Sequence, residues 1–125
     1  MADNTTGELS DLCDDLSRTL EEKYKIVADY ESAHEHAVKL TIRAKAAATA
    51  RTKGTPMIVK MLIENDPQVV DASDKESEAF KILTYGNAEI KGLEAMFQSA
   101  KHQMQLKIQE LRSLGGYGND KRANY

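Results

Sequence analysis

No proline interrupts the chain after Pro67, and the stretch from about Lys75 to Leu114 carries two interleaved seven-residue series. One is Ile90, Phe97, Met104, Leu111; the other is Leu93, Ala100, Lys107, Leu114. Their offset puts both series on one helical face, the arrangement by which a long helix packs along a partner. Lys107 is the polar member of this seam, with Ile108 beside it as a substitute contact. The second half is thus constrained to one long helix that packs through Ile90, Leu93, Phe97, Ala100, Met104, Leu111 and Leu114.

A similar restriction holds in the first half, where neither Gly nor Pro occurs between Gly7 and Gly54. Steps of three and four residues lead through Leu9, Leu12, Cys13, Leu16, Leu20, Tyr24, Val27, Ala28, His34, Val38, Ile42 and Lys45 towards Ala48. This spacing predicts a helix that starts at Glu8 or Leu9 and reaches roughly 65 Å at about 1.5 Å per residue. Residues 44–50 are almost all small, which lets another backbone come close.

Two breaks separate the halves. In the first, Gly54 suits a left-handed helix end, Thr55 a cap and Pro56 a first helical position. Met57, Ile58, Met61 and Leu62 then make a short apolar helical face. In the second, at Asn65, Asp66 and Pro67, Asp66 is expected to cap a turn through Val69 and Val70, and Ser73 and Glu76 have capping-box spacing for the final helix. Gly86 inside that helix marks a place where the partner helix passes closely.

The expected fold class is all-α: two long antiparallel helices joined by a short helical connector, assembling as a coiled-coil or four-helix-bundle oligomer. Residues 1–7 read as a flexible N-terminus, 8–114 as a single helical domain, and 115–125 as a flexible C-terminal tail. Two very long helices leave much of each other wet, so the seams call for a second copy, with a dimer favoured, or for another protein.

Charge is distributed unevenly. Residues 1–35 hold ten acids and three bases, a net of −7, whereas residues 36–61 hold six bases and no acid. Those six, Lys39, Arg43, Lys45, Arg51, Lys53 and Lys60, form a candidate surface for nucleic-acid phosphates or for an acidic section of another subunit. The lone Cys13 excludes an internal disulfide and agrees with a reducing compartment. There is neither a basic leader nor a membrane-length apolar run, so the expected location is cytoplasmic, with no membrane partner.

The acidic, Tyr-containing first helix, the run from Lys39 to Ala50, the break Arg51-Thr52-Lys53-Gly54-Thr55-Pro56 and the ending Lys107-Ile108-Gln109-Glu110-Leu111-Arg112 together resemble a particular group. These are small helical accessory proteins encoded in the early regions of temperate bacteriophages and prophages. The resemblance spans about residues 20 to 112 and implies a cytoplasmic protein of a phage-infected or lysogenic host. It also implies a host or phage protein as partner and brings no catalytic residue or cofactor.

Candidate chemistry is sparse. Glu31 and His34 have the Glu-x-x-His spacing of helical di-iron bundles, but the chain has only one such motif and His102 has Ser99 in the equivalent place. His34 and His36 point in different directions on a helix. Cys13 belongs to the apolar progression. No catalytic, cofactor or metal residue is therefore assigned. The favoured function is a noncatalytic phage-associated protein-interaction adaptor or inhibitor. The alternatives are a nucleic-acid-binding accessory protein for phage replication or recombination, and a structural virion protein.

Overall fold

The computed structural model describes the backbone of residues 5–123 and the side chains of residues 5–114. The described residues form three helices, α1 (Thr6–Arg51), α2 (Pro56–Glu64) and α3 (Pro67–Ala123), and contain no strand. Of the stretches expected to be flexible, 1–7 and 115–125, residues 1–4 and 124–125 and the side chains of 115–123 lie outside the described residues, whereas Thr6 and Gly7 belong to α1 and the backbone of 115–123 continues α3.

Each helix starts where a side chain satisfies its free N–H groups. At α1 the backbone N–H of Glu8 donates to Thr5 Oγ1 at 3.1 Å, and that of Thr5 donates back to Glu8 Oε2 at 3.4 Å. This is a capping box, and it starts the helix at Thr6, ahead of the expected Glu8. At α3 the N–H groups of Gln68 and Val69 donate to Asp66 Oδ1, and Pro67 takes the first helical position. The expected capping box at Ser73 and Glu76 is therefore corrected. Asp66 has already opened α3, and both residues sit half-buried inside the helix.

Two compact units divide the chain, Met1–Glu22 with Ile90–Tyr125 and Lys23–Glu89. In the first, the beginning of α1 packs on the later part of α3. Cys13, Leu16 and Ala100 form a buried cluster, with Leu93, Phe97 and Met104 packed against it. Leu9, Leu20 and Ile90 are buried as well. Full burial of one such large side chain contributes about 1.5–3 kcal/mol, so this unit rests on apolar area.

The second unit is built from smaller side chains. Val27, Ala37, Thr41, Ala48, Gly86 and Val69 are its buried residues. The α1 face expected through Tyr24, Ala28, Ile42 and Lys45 is accordingly corrected, since all of these are exposed and Thr41 is only 4% exposed. The helices here lie close enough for Thr41 Oγ1 to reach the Ala72 carbonyl of α3 at 3.2 Å and the Ala37 carbonyl of its own helix at 3.1 Å. A large side chain would hold them apart.

Gly86 shows the closeness most directly. A Cβ there would lie 2.9 Å from Val27 Cγ2 and 3.1 Å from Tyr30 Cδ2. Gly86→Ala should therefore lower stability by about 1–3 kcal/mol, the overpacking penalty exceeding the helix-propensity gain. Gly92 has nothing within 4 Å of the same position, and Gly92→Ala should raise stability by about 0.5–1 kcal/mol. Thermal melts followed by circular dichroism measure both, and equal effects of one sign would contradict the packing argument.

Candidate interaction face

The connector α2 starts from local chemistry. Gly54 adopts φ +148°, a backbone conformation that side-chain-bearing residues rarely take, and this turns the chain after α1. Thr55 then accepts a hydrogen bond from the Ile58 N–H, and Pro56 supplies a preset first φ. At the other end Asn65 donates from its backbone N–H and its Nδ2 to the Met61 carbonyl, at 3.1 and 2.8 Å. Arg51 Nη2, from the last turn of α1, donates to Asp66 Oδ2 at 3.1 Å, so the two breaks are tied to each other.

This helix contains no buried residue. Its Met57 is 76% exposed, Ile58 50%, Met61 57% and Leu62 51%. Val59 and Ile63 are half-buried on the opposite side. A helix apolar almost all round is normally found covered, so α2 presents an apolar face with nothing on it among the described residues. Two of its four exposed side chains are methionines, which adapt to varied partner shapes.

The basic residues separate into one engaged group and five unengaged ones. Arg51 holds Asp66 and approaches Gln68 Oε1. Lys39, Arg43, Lys45, Lys53 and Lys60 are exposed, and none makes an ion pair among the described residues. Lys45 and Lys60 line one open recess of about 430 Å³ with Pro56, Val59, Ile63 and Glu64.

Of the expected packing residues, Ile90 and Ala100 are buried and Leu93, Phe97 and Met104 lie against the first unit's core. Leu111 and Leu114 are 57% and 72% exposed. The pairing of Leu16 with Ala100 runs antiparallel and brings the start of α1 level with about Glu110, so α3 continues past it there. Lys107 is half-buried with Glu110 at 3.8 Å, and Ile108 is half-buried beside it.

The candidate chemical groups do not converge. His34 stacks at a tilt on Phe80, with ring centroids 5.5 Å apart, while Glu31 and His36 are exposed. Cys13 is a free buried thiol. No group of three or more His, Cys, Asp or Glu could hold a metal ion among the described residues. A recess of about 160 Å³ in the second unit is lined by Ile26, Val27, Tyr30, Ile82, Tyr85 and Gly86 and bridged by Lys23 and Glu89 at 2.7 Å. Accepting that hydrogen bond, with its negative charge alongside, Glu89 raises the Lys23 ammonium above its usual range. A raised folded-state pKa stabilises below the unfolded value, so this contribution is present at neutral pH and lost only under strongly alkaline conditions.

No family model, curated protein or solved structure matches the chain. No described helix is long and apolar enough to cross a membrane. What the fold and the face define is an all-α fold whose connector helix is apolar and exposed among the described residues.

Asp66 is the side chain on which the connector's geometry turns. Asp66→Ala should cost about 1–2 kcal/mol by removing the α3 cap. Asp66→Asn should cost less, because it keeps the cap and loses only a partly exposed ion pair of about 0–1 kcal/mol. Urea unfolding curves separate the two, and an Asn variant as damaged as the Ala variant would move the weight to the Arg51 pair.

Proposed function

We propose that this chain is a noncatalytic protein-interaction module that docks a partner through the apolar face of α2. The observation that carries the reading is the helix without a buried residue, Met57, Ile58, Met61 and Leu62 standing exposed together. The paired helices α1 and α3 act as the support that holds this face in place. In the setting implied by the resemblance, a phage-infected or lysogenic bacterium, the partner is a host or phage protein and the chain is an adaptor or inhibitor.

The test compares captures from bacterial lysate by the wild-type chain and by a Met57→Glu, Met61→Glu variant. Neither methionine is buried, so the variant should keep its helical circular dichroism and its melting temperature. A band captured by the wild type should be lost from the variant. Capture of the same proteins by both would remove α2 from the function.

A second reading has its own observation, the five exposed bases without ion pairs: Lys39, Arg43, Lys45, Lys53 and Lys60. Such a group can hold nucleic-acid phosphates without reading sequence. If it does, single-stranded DNA should bind at low salt, and Lys39→Glu with Arg43→Glu should weaken binding and flatten its salt dependence. An unchanged affinity in that variant, or no binding at all, would end this reading.

A further inference from the structure

We infer that the partner segment docked by α2 is an acidic amphipathic helix, with one apolar stripe and carboxylates along its flanks. The inference rests on the proposed docking role of α2 and adds the chemistry of what docks there. At about 3.6 residues per turn, Met57, Met61, Ile58 and Leu62 occupy one continuous arc of roughly 140°. Half-buried Val59 and Ile63 lie across from it. The arc is a narrow ridge, two helical turns long, and its shape suits the apolar stripe of another helix.

Charge at the edge of the ridge selects the partner's sign. Lys60 and Glu64 border the arc on the Met57 side and Lys53 lies just before the helix, while Lys45 meets Lys60 at the recess on the opposite side, over Val59 and Ile63. All three ammonium groups lack an ion pair among the described residues. Glu64 is the single carboxylate on α2, and the nearby Asp66 is already held by Arg51. An apolar centre with an unpaired, mainly positive rim is complementary to an apolar centre with a mainly negative rim.

A lipid surface fits less well. An anionic bilayer attracts the lysines but offers one sign of charge everywhere, and so has no cation for Glu64 at the edge of the ridge. A peptide flank can carry carboxylates opposite Lys53 and Lys60 and a base opposite Glu64. A second copy of the chain could supply an acidic flank from Asp11, Asp14 and Asp15 around the exposed Leu12, and the test keeps that occupant apart.

The experiment uses the full chain and three probes. Two are fluorescein-labelled helical peptides with the same leucine stripe, one flanked by glutamates and the other by lysines; the third is vesicles of phosphatidylcholine with phosphatidylglycerol. The acidic peptide should bind at least roughly tenfold more tightly than the basic one. Lys53→Glu with Lys60→Glu should reverse that order, and Met57→Glu with Met61→Glu should abolish binding of both. Equal affinity for the two peptides, or binding only to vesicles, would overturn the inference. So would self-association in sedimentation that disappears in the methionine variant, because it would give the face to a second copy. A lysate capture that depends on α2 while the acidic peptide fails would leave the docking role standing and remove only its acidic partner.

Discussion

Both units depend on how close two helical backbones are allowed to come. Where the buried residues are Leu9, Leu16, Leu20, Ile90 and the half-buried Phe97, large side chains fill the space and apolar burial supplies the cohesion. Where they are Ala37, Thr41, Ala48 and Gly86 beside Val27 and Val69, there is less apolar area to bury, and the short separation is used differently. It lets a hydroxyl reach a carbonyl across the pair, as at Thr41 and Ala72, and lets Lys23 meet Glu89. Small residues thus exchange hydrophobic area for directional contacts, and directional contacts set register more sharply than area does.

The connector follows from the same economy of local contacts. A nine-residue helix is too short to persist on propensity alone. Its ends are held by Thr55 and Asn65, and its flanking breaks are held by the Arg51–Asp66 pair. Caps do not require apolar side chains, so nothing in the support of α2 accounts for Met57, Ile58, Met61 and Leu62. They are four exposed apolar side chains gathered on one short helix, and the proposed docking role rests on that grouping.

Much of this architecture was legible in the sequence, and the failures share a cause. The α3 seam from Ile90 to Met104 could be read because large apolar residues marked it. In the later part of α1 the large residues Tyr24 and Ile42 mark the apolar periodicity, while the contacts are made by Lys23 and Thr41 next to them. Close packing there prefers small and hydrogen-bonding side chains, which a ranking by hydrophobicity passes over. The cap of α1 is written in Thr5 and Glu8, and the same spacing recurs at Ser73 and Glu76 without forming a cap. Spacing identifies a cap only where the first residue is outside the helix, and Asp66 had already begun the helix before Ser73. The apolar character of α2 was visible as well, but exposure is a tertiary fact that no periodicity reports.

Three of the exposed apolar residues on α1 have a simpler explanation than those of α2. Leu12, Ile26 and Leu40 recur at fourteen-residue intervals on α1 and are 38%, 39% and 40% exposed. Each precedes by one position a buried residue, Cys13, Val27 and Thr41, so each forms the shoulder of a seam and is already more than half covered by it. On α2 there is no buried residue for the exposed ones to shoulder. The difference lies less in hydrophobicity than in what stands behind it, and the proposed docking role rests on a face with no seam of its own.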